Sequence, residues 1–190
     1  MSEVPTGLWL LESYLNSMDV ETGKDDLASV PRMRTWLAAH GREAAGRTAT
    51  PDVVALARDI RAELREMLRG NCNGDALTSD RLDALAARVP LRARFTHPDV
   101  RLDPAEDGML GVLGEVLAAV VVASREGTWR RLKLCREDTC QVVFYDRSKN
   151  ASRCWCSMQV CGNRNKTRAY RRRTAPEAQV AGEPSKSTAE

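Results

Sequence analysis

The cysteines are the residues of this 190-residue chain that most clearly carry chemistry, because five of the six lie between positions 135 and 161. Cys135 and Cys140 form one C-x4-C pair, and Cys156 and Cys161 form a second pair with the same spacing. Two loops that each supply two thiolates can close a tetrahedral Zn²⁺ site, and a zinc ion with four protein ligands is structural. The spacing therefore predicts one structural zinc ion that organises a small C-terminal module.

Two cysteines remain outside these pairs. Cys154 lies two residues before Cys156 and offers an alternative C-x6-C pair with Cys161, although the equal spacing of the two C-x4-C pairs favours Cys156. Cys72 stands alone, in a segment rich in Asn and Gly, and is interpreted as an unrelated thiol.

The charge of the chain is unevenly distributed. Residues 127–173 hold 13 Lys and Arg against 3 Asp and Glu, a net of +10, whereas residues 1–126 carry a net of −5. No acidic residue occurs from Arg147 to Arg173. Such a basic segment is typical of proteins that bind an acidic partner, with nucleic acid the first candidate and an acidic protein the second.

The basic residues fall on two predicted elements. A turn around Arg147 and Lys149 comes first, and a helix from Ser157 to about Arg173 follows. On that helix the spacing of the arginines places them on one face. The residues expected to contact nucleic acid are Arg147, Lys149, Arg153, Asn163, Arg164, Lys166, Arg168, Arg171 and Arg172.

The elements that must position these groups can be read from apolar periodicity and capping residues. Helices are predicted over 8–14, 31–40, 51–70, 79–89 and 108–124, with a loop over 18–29 and a turn over 71–74. Alternation predicts a strand over 91–95 with a partner over 100–102, and a second hairpin that pairs 141–145 with a return strand over 153–155.

These elements predict an α+β protein: a mostly helical N-terminal domain (1–126) with a small β-hairpin, followed by a C-terminal treble-clef-like zinc finger (127–173). The domain boundary is expected between Arg125 and Arg131, where the composition changes. The tail (174–190), rich in Pro, Ala, Gly, Ser and Glu, is expected to be disordered.

No targeting or membrane segment is predicted. Leu8–Leu11 lacks a basic flank, and the longest apolar stretch, Met109–Ala123, is shorter than a membrane span and contains Glu115. We therefore expect a cytoplasmic protein without a membrane partner, in which reduced thiols are available for a metal.

The body offers weaker candidates. A small-molecule effector could be held by a pocket formed from Trp9, Tyr14, Asn16, Asp19 and Trp36. An enzyme would have to use Asp19, Glu21 or His97. The body contains no nucleophile–base pattern, no glycine-rich phosphate loop and no metal-binding His pair, so no catalysis is expected.

The C-terminal segment closely resembles the CGNR zinc finger over about residues 131–173. The resemblance rests on Phe144–Asn150, on Arg153 with Trp155–Met158, and above all on Cys161-Gly162-Asn163-Arg164. It implies that Cys135, Cys140, Cys156 and Cys161 are the zinc ligands. Cys154 departs from the family pattern, which usually has another residue there.

The N-terminal part more loosely resembles the start of the ABATE domain, through Tyr14–Asp19, Leu27 and Trp36-Leu37. That domain precedes the CGNR finger in a bacterial family described as "putative stress-induced transcription regulators". The resemblance implies a zinc-dependent DNA-binding transcriptional regulator, whose finger contacts double-stranded DNA and whose helical body senses an effector or forms a homodimer.

The alternative is a protein- or RNA-binding adaptor that uses the same basic finger. Recognition of single-stranded RNA needs exposed aromatic side chains on which bases stack. The candidates are Tyr145, Trp155 and Tyr170.

Overall fold

The structure is a computed structural model, and it describes residues 4–73 and 78–174. The α-helices in these ranges are α1 (Trp9–Leu15), α2 (Val30–Ala39), α3 (Glu43–Gly46), α4 (Pro51–Asn73), α5 (Asp80–Ala86), α6 (Gly108–Arg125) and α7 (Asn163–Thr174). The β-strands are β1 (Leu91–Thr96), β2 (Asp99–Pro104), β3 (Leu132–Leu134) and β4 (Val143–Tyr145). Short 3₁₀ turns cover Thr6–Leu8 and Trp129–Arg131, and a π-helical turn over Met158–Gly162 leads into α7. This arrangement confirms a mostly helical N-terminal part with a small hairpin, followed by a cysteine-rich finger.

Helix α4 begins where the sequence predicts. The Thr50 hydroxyl accepts a hydrogen bond from the backbone N–H of Val53 at 3.3 Å, and Pro51 is the first helical residue. The helix continues past Gly70 to Asn73, so the predicted turn over 71–74 is wrong at its first three positions, and Gly74 lies outside the described residues. Gly70 disfavours the continuation of the helix, but the hydrogen bonds of Asn71 to the finger outweigh that cost.

Helix α3 is a single helical turn that was not predicted. Gly41, with a φ of 68°, lies in the turn after α2, and α3 begins two residues later. A segment this short has no periodicity to recognise. The loop expected over 18–29 is present and is closed by an isolated bridge between Met18 and Asp25.

The core of the body lies between α1, α2, α4 and α6. Tyr14 on α1 is fully buried, its ring meets Trp36 edge-on at 6.4 Å, and its hydroxyl donates to the carbonyl of Ala57 on α4. Buried Leu, Val and Ala side chains supply most of the remaining contacts. Two of the nine aromatic residues of the chain therefore meet at this junction of helices.

Helix α6 is long and apolar enough to cross a membrane by length and composition alone. Nine of its residues are buried inside the body, among them Met109, Leu113 and Val116. A core helix of a folded body passes the same test of length and composition, and the packing of α6 identifies it as one.

The predicted hairpin is confirmed as β1 and β2. The strands are antiparallel, with a register from Leu91↔Pro104 to Thr96↔Asp99. The base of the hairpin packs on α6 at Gly114, where an added Cβ would lie 2.9 Å from the Cβ of Pro104. Glycine is needed there because any side chain would push the hairpin off the helix.

The second predicted hairpin is formed by different strands. Strand β4 pairs with β3 in the register Leu132↔Tyr145 to Leu134↔Val143, and the predicted return strand over 153–155 is a loop. The prediction was wrong because the short loop between Cys135 and Cys140 reverses the chain and joins the strands on either side of it. The loop that contains Cys154 contacts the backbone after β3: the Arg136 N–H donates to the Cys154 carbonyl at 2.9 Å.

The strands of the finger share the core of the body. Leu132, Leu134 and Val143 are buried in the same apolar cluster as the body helices. The Asn16 side chain forms two hydrogen bonds with the backbone of Val143, donating to its carbonyl at 2.9 Å and accepting from its N–H at 2.8 Å. The change of composition near residues 125–131 is therefore not a break between separate cores. Residues 175–190 of the expected disordered tail lie outside the described residues.

Helix α4 adds polar contacts to this junction. The Asn71 amide donates to the carbonyls of Trp129 and Leu132, at 2.8 and 2.9 Å. The Arg65 guanidinium donates to the carbonyls of Leu15 and Gln141, at 2.7 and 2.9 Å. These bonds fix the finger against the end of α4.

Candidate metal centre and basic surface

The four paired cysteines come together at one point. Cys135 follows β3, Cys140 ends the loop that leads to β4, Cys156 lies in the loop after β4, and Cys161 lies in the π-helical turn before α7. The backbone N–H groups of Cys140 and Gln141 both donate to the Glu137 carbonyl, at 2.9 and 3.0 Å, which closes the first loop.

Their geometry fits a tetrahedral ion. The four sulfur atoms all lie within 4.8 Å of one another, and Sγ of Cys156 is 3.7 Å from Sγ of both Cys140 and Cys161. With Zn–S bonds of about 2.3 Å, a tetrahedral site places its sulfurs about 3.8 Å apart. The cluster is therefore able to hold one zinc ion, as the sequence predicts. Cys154 does not belong to this group of four sulfurs.

The electrostatics of the cluster also calls for a cation. Burial and the neighbouring thiols raise the pKa of Cys156, and the same causes raise the pKa of Cys161 to about 12. Four thiolates this close together repel one another unless a metal ion neutralises them. The donor set of four sulfurs suits zinc and leaves no open coordination position for substrate.

Aromatic and basic side chains cover the cluster. Trp155 packs against it, and its buried indole N–H has no hydrogen-bond partner among the described residues. The Arg153 guanidinium lies over the Phe144 ring, 5.4 Å from its centroid, and donates to the Cys156 carbonyl at 2.7 Å. Arg153, predicted to contact nucleic acid, thus supports the loop that carries Cys156.

A buried carboxylate ties the first cysteine loop to α7, and the sequence analysis missed it. Glu137 is fully buried and accepts hydrogen bonds from Asn165 and Arg168, each at 2.7 Å. The hydrogen bond from Arg168 is the main cause that lowers the pKa of Glu137, so the carboxylate stays charged. In the sequence, Glu137 lies between the zinc ligands Cys135 and Cys140. Its partners are 28 and 31 positions further along the chain, so only the fold shows that they meet.

A buried ion pair organises the basic turn. Lys133 and Asp146 are buried, with Nζ 2.9 Å from Oδ2, and Nζ also donates to the Arg153 carbonyl at 3.1 Å. Burial tends to raise the pKa of Asp146, but hydrogen bonds from Ser148, Lys133 and Arg153 outweigh it and hold the pKa at about 2. Lys133 lies between two leucines of a short strand, and this position in the sequence could have indicated a buried lysine.

The predicted basic face of α7 is partly occupied by acidic side chains. Arg164 pairs with Glu21 of the body at 3.2 Å, and Arg168 pairs with Glu137 and with Asp138, the latter at 3.6 Å. The Asn163 amide donates to the Gln159 carbonyl, a local helical contact. The other predicted contact residues are exposed: Arg147, Lys149, Lys166, Arg171 and Arg172.

The five residues suggested for an effector pocket are used in other ways. Tyr14 and Trp36 belong to the core, and Asn16 binds the backbone of Val143. Asp19 caps its own turn, accepting from the Thr22 hydroxyl at 2.7 Å, and Trp9 is half-exposed against His40. These contacts stabilise the body and its surface turn.

Of the residues considered for catalysis, Asp19 and Glu21 lie in one surface turn, where the Glu21 backbone N–H donates to the Asp19 carboxylate at 2.9 Å. Glu21 is exposed and paired with Arg164, while His97 lies in the turn of the β1–β2 hairpin.

Comparison with known protein families agrees with this architecture. The family model for ABATE, "Putative stress-induced transcription regulator", matches residues 8–127, and that for the CGNR zinc finger matches residues 131–174. Both are regulator or zinc-finger families and neither is an enzyme family. No curated protein matches the chain.

Proposed function

The chain belongs to the ABATE family, and from that premise we propose that it is a zinc-dependent, DNA-binding transcriptional regulator of the cytoplasm. Zinc is held by Cys135, Cys140, Cys156 and Cys161 and orders the finger. The finger then presents its cations to the phosphates of double-stranded DNA.

The observation that carries this proposal is the acid-free stretch from Arg147 to Arg173 on a metal-organised frame. A groove of about 590 Å³ runs along the π-helical turn and α7. The residues that line it are Gln159, Val160, Asn163, Arg164, Thr167, Arg168 and Arg171. Arginine, asparagine and glutamine side chains can contact phosphates and base edges.

The ion pairs of Arg164 and Arg168 give these two residues different roles. Arg168 is anchored by the buried Glu137, so its main role is to orient α7. Arg164 pairs with Glu21, and both side chains are about half-exposed. Exposed ion pairs are weak, so a phosphate can replace Glu21 as the partner of Arg164.

Duplex DNA suits the finger better than single-stranded RNA. Of the three aromatic candidates for base stacking, Trp155 packs on the cysteine cluster and Tyr145 packs against the body core. Tyr170 is 62% exposed. A stacking platform requires several accessible rings, whereas contacts to a duplex backbone require mainly cations.

The body would act through its shared core with the finger. Because Asn16, Arg65 and Asn71 hold the finger strands directly, a homodimer contact or a bound effector on the body would be transmitted without a flexible linker.

The test is duplex DNA binding by fluorescence anisotropy across a salt series, with zinc-loaded and chelated protein side by side. We expect steeply salt-dependent binding that chelation abolishes. Lys149→Ala, Lys166→Ala and Arg172→Ala should each reduce the slope of log K against log salt by about 0.9 for each phosphate that the variant no longer neutralises. Arg88→Ala, which removes an exposed cation of the body, is the matched control.

Equal losses of affinity in Arg88→Ala and the three finger variants would contradict a specific role for the finger. Unchanged binding in all three finger variants would show that the proposed surface is wrong. Tighter binding of single-stranded RNA than of duplex DNA would favour the adaptor function instead.

A further inference from the structure

Two cysteines outside the zinc quartet lie against each other where the body meets the finger. Cys72 is in the last turn of α4, and Cys154 is in the loop that leads to Cys156. Sγ of Cys154 is 4.0 Å from the Cys72 carbonyl oxygen, and both residues are half-buried. The sequence separates them by 82 positions and gives no hint of this contact.

The main chains on both sides are held in place by one residue. The Arg136 guanidinium donates to the Cys72 carbonyl at 3.1 Å, and the Arg136 backbone N–H donates to the Cys154 carbonyl at 2.9 Å. Sγ of Cys72 also donates to the Leu134 carbonyl at 3.6 Å. These contacts hold the two backbones next to each other, and a disulfide requires the two side chains to rotate until their sulfurs meet.

The surroundings also distinguish the two thiols. Burial, together with the nearby Cys154 thiol, raises the pKa of Cys72 to about 11. The Cys154 thiol also contacts the Ser152 carbonyl at 3.7 Å in an exposed position, whereas the contact of the Cys72 thiol with Leu134 is partly buried. An oxidant from solvent therefore reaches Cys154 first, and Cys72 takes the resolving step.

We propose that Cys72 and Cys154 form a redox pair that a small hydroperoxide converts to a disulfide, while the zinc quartet keeps its metal. The Cys154 thiolate attacks one peroxide oxygen, the O–O bond breaks, and an alcohol or water leaves, so that Cys154 becomes a sulfenic acid. The Cys72 thiolate then attacks that sulfur, the S–S bond forms and water is released. In total, two thiols are oxidised and one hydroperoxide is reduced to an alcohol (or water) and water.

The disulfide would link the end of α4 covalently to the loop before Cys156. It would therefore fix the finger on the body more firmly than the hydrogen bonds of Asn71 and Arg136 do alone. The pair does not depend on DNA binding, and so it can be tested even if the proposed function fails.

The experiment treats zinc-loaded full-length protein with one equivalent of hydrogen peroxide. Free thiols are then alkylated under denaturing conditions without a reductant. Before denaturation, we expect zinc to stay bound. After alkylation, we expect the intact protein to have lost two hydrogens to one disulfide, which joins the tryptic peptides 70–81 and 154–164. The second peptide contains three cysteines, so fragment ions must place the link on Cys154 and show Cys156 and Cys161 alkylated.

Two variants sharpen the result. Cys72→Ser should prevent the disulfide and leave a sulfenic acid on Cys154 that a dimedone probe traps, whereas Cys154→Ser should leave the protein with neither product. Both variants should retain zinc, which confirms that they fold. The proposal is overturned if peroxide links a zinc-quartet cysteine and releases the metal, or if Cys72 and Cys154 are both still alkylated after oxidation.

Discussion

The helical body and the finger are stabilised in different ways. The body buries Leu11, Tyr14, Leu37, Leu64 and Leu113 completely, in a core built of leucine, valine, alanine and a few aromatic residues. The separate cluster of the finger has only Phe144 and three cysteines as buried members. The finger beyond its strands therefore relies on metal, buried ion pairs and hydrogen bonds in place of apolar area.

This contrast matters for function because polar and metal-based stabilisation can be switched, whereas an apolar core cannot. We therefore expect that removal of the metal, or loss of the partner of a buried carboxylate, leaves α1, α2 and α6 folded.

Replacing a zinc ligand should have the largest effect. In Cys156→Ser we expect loss of bound zinc and loss of amide-exchange protection beyond β4, while α4 and α6 stay protected. The metal supplies the folding free energy of such a module, about 10–16 kcal/mol for structural zinc in small fingers. Zinc content and hydrogen exchange measure both outcomes.

Cys154→Ser is the matched control for the zinc ligand, and it should keep one zinc ion per chain. The opposite result, with zinc lost from Cys154→Ser and kept by Cys156→Ser, would establish the C-x6-C alternative instead.

Breaking the Lys133–Asp146 pair should have the next largest effect. Lys133→Met leaves a buried charge on Asp146 without its cation, which costs about 3–5 kcal/mol. The free energy of unfolding in urea gives the size of the loss. In the double variant Lys133→Met/Asp146→Asn, which removes the buried charge and keeps a side-chain oxygen as acceptor, part of the loss should be recovered. A double variant as unstable as the single one would refute the charge explanation.

Removing the joint between body and finger should have a moderate effect. Asn16→Ala leaves the buried backbone N–H and carbonyl of Val143 without partners, which costs about 1–3 kcal/mol. Thermal unfolding would show a lower midpoint. Asn150→Ala changes an exposed asparagine and should leave the midpoint unchanged. An equal shift in both variants would mean that the joint contributes nothing of its own.

The exposed pair between the two regions should have the smallest effect. Glu21→Gln releases Arg164 for phosphate, and because exposed ion pairs contribute at most about 1 kcal/mol, we expect up to about a fivefold gain in DNA affinity. Glu43→Gln removes the same charge from another exposed site and serves as control. A gain of equal size in the control would assign the effect to net charge.

The sequence by itself determined the parts of this protein that depend on local patterns. Two equal cysteine spacings predicted the quartet, and apolar periodicity with capping residues placed α2, α4 and α6. Alternation placed β1 and β2. Each of these signals is contained within about 25 consecutive residues, so no knowledge of distant neighbours was needed.

The tertiary structure decided which distant groups meet. Strand β4 pairs with β3 because the first cysteine loop brings them together, and α4 extends past Gly70 because Asn71 finds partners on the finger. Glu137 and Glu21 occupy two arginines of the predicted DNA face, and Asn16 and Tyr14 serve the core. Charge and hydrogen bonding act over a few ångströms in space, and a single sequence does not show which residues lie within that reach.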